Sequence, residues 1–425
     1  LKVLIITYYW PPAGGSGVQR WLKFVKYLQG LGITPVVYSV ESPEYAIEDK
    51  TLEKEIPAGV EVIRQPIWEP YKLAELFSKS KAKKTSAGFL SQKQSFLGRI
   101  ATYIRANYFI PDARMFWIKP SVKYLETYLK ENGIDLIISS GPPHSLHLIA
   151  QKIKEKTGVK WVSDFRDPWT DIDYFHQLPL SKRAKKKHFS LEKEVLQKSD
   201  AVLVVGKTMQ NNYLGFNKNT HVVSNGFDIE NSEPEKKLDE KFSITHIGMM
   251  NEDRNPIVLW NVLAELKNEI DGFEADLEIK LIGKLAAIVL KDLELNSLTN
   301  QVNRIDYLPH NEVQIYQRKS QVLLLAVNKV PSAKGIVTGK IFEYLVAKRP
   351  ILAIGPEDGD LSEILSKSKV GKIVDFDDHK KLKSVIVEMY NDYKKNDLKV
   401  SSQDIEQYHR KNITEQLSKL LKTIV

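Results

Sequence analysis

Lys2-Val3-Leu4-Ile5-Ile6-Thr7 runs directly into Tyr8-Tyr9-Trp10-Pro11-Pro12-Ala13-Gly14-Gly15-Ser16-Gly17, and from Val18 the chain takes up a helical rhythm. A short apolar run closed by a proline- and glycine-rich loop reads as a buried strand. Over residues 18–29, Val18, Trp21, Leu22, Val25 and Leu28 fall on one stripe, with Lys23 and Lys26 outside it. That is the pattern of an amphipathic helix. Strand, glycine loop and helix in this order point to a parallel sheet covered by helices.

The same alternation continues along almost the whole chain. Further strands are expected at 35–40, 61–64, 136–139, 161–164, 201–205 and 221–223. A second series follows at 243–247, 278–282, 322–326, 351–354 and 372–374. Helices are expected between these, notably at 256–267, 340–346 and 379–393, with a closing helix at 402–423. Between the series lies Asn231-Ser232-Glu233-Pro234-Glu235-Lys236-Lys237, polar and with little to bury. The expected organisation is an N-terminal domain at 1–228 carrying a basic insertion at about 72–120, a linker at 229–241 and a C-terminal domain at 242–400. A helix at 401–425 completes it. The fold class is α/β, with two doubly wound, Rossmann-like domains facing each other across a cleft. Ligands in such folds bind beyond the carboxyl ends of the strands.

Composition narrows the chemistry. With 425 residues the chain exceeds one domain, and 42% hydrophobic with 27% charged residues excludes a disordered chain. There is no cysteine, hence no disulfide, thiol nucleophile or Cys-ligated metal. No apolar run approaches the roughly 18–20 residues of a spanning helix. The first strand is also too short for a signal segment, so a cytoplasmic protein is expected. Net charge is +9, and it is local: residues 72–105 hold eight Lys or Arg against Glu75, and residues 182–187 add five.

Polar and titratable groups gather at strand ends. The first is the Gly14-Gly15 loop, whose glycines let backbone approach a ligand and whose helix offers N–H donors to an anion. A turn that merely packs strand on helix explains the same glycines. Ser139-Ser140-Gly141-Pro142-Pro143-His144-Ser145 and Asp164-Phe165-Arg166-Asp167-Pro168-Trp169 follow the next strands. Asp164, Arg166 and Asp167 read either as cleft lining or as one structural ion-pair cluster. In the second series, Gly248-Met249-Met250-Asn251-Glu252-Asp253-Arg254-Asn255-Pro256 places Arg254 where a phosphate would meet a guanidinium beside a helix start. Thr338-Gly339-Lys340-Ile341-Phe342-Glu343 opens another helix. A cation in a first helical turn opposes the macrodipole, so Lys340 is poorly placed unless something anionic binds there.

The Gly14-Gly15 loop, Asp164-Phe165-Arg166-Asp167-Pro168-Trp169, Ser224-Asn225-Gly226-Phe227-Asp228 and Gly339-Lys340-Ile341-Phe342-Glu343-Tyr344-Leu345 together resemble bacterial glycosyltransferases of family 4. These are retaining enzymes of the GT-B fold. The likeness spans about residues 1–380 and rests on the order and spacing of motifs that are individually weak. It implies transfer of a sugar from a nucleoside-diphosphate sugar to a glycan or lipid-linked acceptor, as in cell-surface polysaccharide synthesis. The donor would sit on the C-terminal domain and the acceptor on the N-terminal one.

By the resemblance, the donor side comprises Gly14, Gly15, Gly248, Arg254, Thr338, Gly339, Lys340 and Glu343. Arg254 matches the diphosphate-binding arginine, and Glu343 the second glutamate of an E-x7-E motif, which binds the ribose. The acceptor side comprises Arg20, Ser140, His144, Arg166 and Asp167, and the catalytic set Arg254, Lys340, His144 and Asp164. No metal or other cofactor is expected, because Arg254, Lys340 and helix N-termini would meet the charge on the leaving diphosphate. The chain departs from the pattern at Gly335, where the first glutamate would stand, and at Asn255-Pro256, where a lysine is usual.

Five other readings bear on the same sequence. Leu76, Phe77, Phe89, Leu90, Phe96, Leu97, Ile100 and Tyr103 lie among the cations of residues 72–105, a mixture suited to peripheral contact with an anionic membrane. Nucleic-acid binding is not expected, since the cations form two patches without a binding-module motif. A catalytically inactive sugar-nucleotide-binding or scaffold protein is the alternative that Gly335 raises. Asp171-Ile172-Asp173 as a metal-binding triplet, and a nicotinamide site, find no supporting pattern around them.

Overall fold

The computed structural model describes the chain except residues 42, 44, 46, 70–95, 229–236, 307 and 309 and the side chains of 16, 96, 97, 310 and 311. It divides into two compact units, Leu1–Asn225 with Arg410–Val425, and Gly226–His409.

The first unit is a parallel seven-stranded sheet in the order β3-β2-β1-β4-β5-β6-β7. Its strands are β1 (Lys2–Thr7), β2 (Thr34–Glu41), β3 (Glu61–Pro66), β4 (Leu136–Gly141), β5 (Lys160–Phe165), β6 (Ala201–Val204) and β7 (Thr220–Val222). Val3, Leu4, Ile5 and Ile6 are wholly buried, because β1 is central and helices cover both faces. The helices are α1 (Ser16–Leu28), α2 (Phe96–Tyr108), α3 (Ile118–Asn132), α4 (Ser145–Thr157), α5 (Lys182–Lys198) and α6 (Lys207–Leu214).

The second unit repeats the plan with six parallel strands in the order β10-β9-β8-β11-β12-β13. These are β8 (Phe242–Ile247), β9 (Leu277–Ile282), β10 (Val302–Ile305), β11 (Val322–Ala326), β12 (Ile351–Ile354) and β13 (Gly371–Val374). Its helices are α7 (Ile257–Glu269), α8 (Ala287–Leu295), α9 (His310–Lys319), α10 (Lys340–Ala347), α11 (Asp360–Ser368) and α12 (His379–Lys394). In both sheets the strand order reverses beside the first strand, at β1/β4 and β8/β11, the switch point where doubly wound folds take their ligands.

Helix α13 (Arg410–Ile424) closes the chain and belongs to the first unit, where Ile413, Leu417 and Leu421 join the core and Lys422 Nζ donates to Leu31 O at 2.8 Å.

Several boundaries differ from the sequence expectation. The last helix begins at Arg410 rather than 402, because Ile405 and Tyr408 pack in the second unit's core and Tyr408 O accepts from Phe227 N at 3.0 Å. For the same reason residues 226–228 group with the second unit rather than the first. Strand β10 was not foreseen. Most of the expected linker, and of the basic insertion at 72–120 its part up to 95, lies outside the described residues. Among the described residues no helix is long and apolar enough to cross a membrane.

Candidate functional site

In the second unit, β8 ends at Ile247, and Gly248 follows at φ +107°, a conformation that favours glycine. Its amide donates to Ile282 O at 2.7 Å. The loop beyond is pinned twice more, by Met250 N to Lys284 O at 3.0 Å and Lys329 N to Asp253 O at 2.7 Å. Arg254 thus stands on a fixed turn, with Asn251 Oδ1 accepting from its amide and its own Nη1 donating to Met249 O at 3.1 Å.

Lys340 opens α10, and a Cβ on Gly248 would lie 2.7 Å from its Nζ. Burial, and next the Arg254 guanidinium, push the Lys340 ammonium down to about 7, against the opposing pull of Glu343. The N-terminal end of α10 disfavours the cation further. Two cations crowded at a helix start form a site that an anion relieves. Thr338 Oγ1, two residues ahead of Lys340, is buried and has no hydrogen-bond partner among the described residues. Gly339 caps the helix, and Glu343 Oε2 accepts from Gln317 Nε2 at 2.9 Å. A cavity of about 380 Å³ lies beside Arg254, lined also by Pro256, Val258, Val327, Lys329 and Phe376.

One neighbour was missed in the sequence. His246, wholly buried on β8, is held neutral by burial and by Lys340 and Arg254, so it adds no third positive charge. A histidine inside an apolar strand carries no signal of this in its local pattern.

In the first unit, part of the expected acceptor side turns out to be a closed anchor. Ser140 and Asp164 are strand residues, opposite each other in the β4/β5 register, and both are wholly buried. Asp164 accepts from Arg20 Nη2 at 2.9 Å and Nε at 3.2 Å, from Trp21 Nε1 at 2.8 Å and from Ser140 Oγ at 2.8 Å. Burial alone would raise its carboxyl, but the Arg20 guanidinium and these donors outweigh that and hold it below the usual range. Arg20 Nη1 turns to Ser224 O at 3.0 Å and Asn225 Oδ1 at 3.1 Å. Arg20, Ser140 and Asp164 therefore hold strand ends together. With its oxygens engaged and no exposure, Asp164 is not positioned to touch substrate, in contrast to the catalytic role expected of it.

Arg166 is likewise committed. Its Nη1 donates to Gly17 O at 2.6 Å, its Nη2 to Pro142 O and its Nε to Gly141 O at 3.4 Å. It staples the glycine loop to the Gly141-Pro142-Pro143 loop. Gly14 serves packing, since a Cβ there would lie 2.8 Å from Ile47 Cγ2. Gly15, at φ +82°, starts α1. What remains accessible is narrower: Asp167 is exposed, whereas His144, expected on the acceptor side and in the catalytic set, is itself buried and lies flat on Trp169 with ring centroids 4.6 Å apart. Burial, with His147 and Arg166, holds His144 well below the usual histidine value, so its ring is neutral.

Residues 86–231 match the profile of Glycosyltransferase Family 4. The chain has the GT-B fold, and its likeness to that family covers this segment. Among solved structures it is similar to sucrose-phosphate synthase of Thermosynechococcus elongatus, with TM-score 0.62 and 13% identity over 99% of this chain and 98% of that one. It is similar to HepE of Anabaena in complex with UDP-glucose, with TM-score 0.62 and 13% identity over 99% of each chain. It is also similar to a TarM variant of S. aureus bound to fondaparinux, α-GlcNAc-glycerol and UDP, with TM-score 0.61 and 12% identity over 100% and 99%. At these identities the structures speak to the fold. No curated protein matches by sequence.

In this GT-B chain the Gly248–Arg254–Lys340 group belongs to the C-terminal unit, and His144 and Asp167 to the N-terminal one. Among the described residues no group of three or more His, Asp or Glu side chains is arranged to hold a metal ion.

Proposed function

We propose that the protein transfers a sugar, with retention of configuration, from a nucleoside-diphosphate sugar to a glycan or lipid-linked acceptor in cell-surface polysaccharide synthesis. The observation that carries the reading is the Arg254–Lys340 pair: Lys340 opens α10 directly over Gly248, and the Arg254 guanidinium on the neighbouring loop acts on its ammonium. Such a pair is costly without an anionic ligand and effective with one. HepE and TarM, similar in fold, are bound to UDP-glucose and UDP respectively, which makes the uridine series the first to test.

In the reaction, the bond between the anomeric carbon and the β-phosphate oxygen breaks while the acceptor oxygen bonds to the same face of that carbon. The acceptor proton passes to the departing phosphate. Negative charge grows on the diphosphate, and Arg254 and Lys340 meet it with preorganised donors. Glu343, oriented by Gln317, is assigned to the ribose hydroxyls. On the N-terminal side, exposed Asp167 is assigned to the acceptor and buried, neutral His144 to supporting that surface through its stacking on Trp169, with Arg166 holding the loops that carry them.

The test is release of nucleoside diphosphate from UDP-sugars in the presence and absence of acceptor glycans. Removing one charge-stabilising donor costs about 2.7–4 kcal/mol in the barrier, so Arg254→Ala and Lys340→Ala should each lower turnover about a hundredfold or more. Near-normal rates in both would contradict the assignment. Gly335, in the place of the family's first glutamate, favours a second reading as an inactive sugar-nucleotide-binding scaffold. Donor binding without any turnover would select it.

A further inference from the structure

Helix α2 is built inside out. Gly98, Thr102, Ala106 and Asn107 are its half-buried positions, whereas Ile100, Tyr103, Ile104 and Tyr108 are 41%, 47%, 44% and 70% exposed. A surface helix of a globular protein normally buries its apolar stripe and shows its polar one. Here the apolar residues stand outward at i, i+3, i+4 and i+8, a contiguous strip rather than scattered singles.

The strip adjoins a second unusual surface. Asn107 ties the end of α2 to the entry of α5, donating to Pro179 O at 2.8 Å and accepting from Ser181 N at 2.7 Å. From there α5 presents Lys182, Arg183, Lys185, Lys186 and Lys187 to solvent, with Phe189 45% exposed beside them. Only Ala184 and His188 of this stretch turn inward. Neither residues 96–108 nor 182–190 contain an acidic residue. Five cations in the first two turns of a helix also oppose its dipole. Charge left uncompensated among the described residues and outward apolar side chains lie side by side on one unit.

We propose that α2 and the first turns of α5 form a docking surface for an anionic lipid bilayer. Ile100 and Ile104 would enter the acyl boundary, Tyr103 and Tyr108 would sit at headgroup level, and the α5 cations would meet the lipid charge. Nucleic acid would engage the cations and leave Ile100 and Ile104 in water, so it uses half of what the surface offers. The inference adds the α5 cluster to the basic segment recognised in the sequence, and it stands independently of the donor site.

The test is co-sedimentation of the full chain with vesicles of phosphatidylcholine, with and without phosphatidylglycerol. The wild type should pellet with the anionic vesicles only, and added salt should release it. Lys182→Gln combined with Lys185→Gln, Lys186→Gln and Lys187→Gln should weaken this at least tenfold, and Ile100→Ser with Ile104→Ser should also weaken it at least tenfold. All of these positions are exposed, and unchanged melting by circular dichroism establishes that each variant is folded. Absence of wild-type binding, equal binding by either variant, or retention of an RNA oligonucleotide with no vesicle binding would overturn the proposal. The donor reading is separately read out by nucleotide binding, which neither variant should change.

Discussion

The ammonium of Lys340 occupies space that a side chain at residue 248 would need: a Cβ on Gly248 would lie 2.7 Å from Nζ and 2.8 Å from Cε. Glycine at this strand end is thus required twice, for its positive φ and for the cation above it. Gly248→Ala should displace Lys340 and force a conformation costing about 1–3 kcal/mol. The expected outcome is a UDP affinity at least tenfold lower by titration calorimetry, with the unit still folded.

The same contact has a pH signature. Lys340 is held down to about 7, well below the roughly 10.4 of an unfolded lysine. Between these values the unfolded chain binds more protons than the native one, so this residue makes stability rise with pH across that window. An anion restores the charge. At pH 8, therefore, UDP binding should take up protons, seen as a dependence of calorimetric enthalpy on buffer ionisation that Lys340→Met abolishes. An equal dependence in the variant would place the titrating group elsewhere.

The buried anchor gives a stability prediction. Asp164→Ala leaves the Arg20 guanidinium buried without its carboxylate partner, and breaking such a pair costs about 3–5 kcal/mol. Denaturant unfolding should show this loss in the transition of the first unit. Because the folded carboxyl is lowered, its contribution is present above the unfolded value of about 3.9 and disappears as pH falls through the folded one. The wild-type advantage over the variant should shrink accordingly under acid.

Arg166 should behave as a positioning residue. Lysine keeps its charge but not the fork that reaches Gly17, Pro142 and Gly141 at once. Arg166→Lys is expected to lower kcat at least tenfold while the KM for donor stays near wild type, since the donor cations lie in the other unit. A raised donor KM with unchanged kcat would refute this role.

How much of this was legible follows from where the information lies. β1 was readable because a strand buried on both faces must be apolar throughout, as Val3–Ile6 are. β10 was not, since at the sheet edge Asn303 and Arg304 face solvent and break the apolar run. Lys340 was legible as a cation misplaced in a first helical turn. The closed role of Arg166 was not, because one partner is a backbone carbonyl 149 residues away and carbonyls leave no mark in side-chain pattern. Ser140 looked like a loop residue and Asp164 like the last residue of its strand, because polar groups commonly end strands. The parallel register instead carried both inside the sheet, where they could only face each other.

Thermal unfolding with UDP, GDP, dTDP, CMP, ADP and NAD tests the central claim most directly, using wild type, Arg254→Ala and Lys340→Ala. A ligand at about a hundred times its dissociation constant adds about 2.7 kcal/mol, enough to raise Tm by several degrees. The account predicts a shift selective for one nucleoside diphosphate in the wild type, largely lost in both variants. No shift with any of them, or one that survives in both variants, would contradict it.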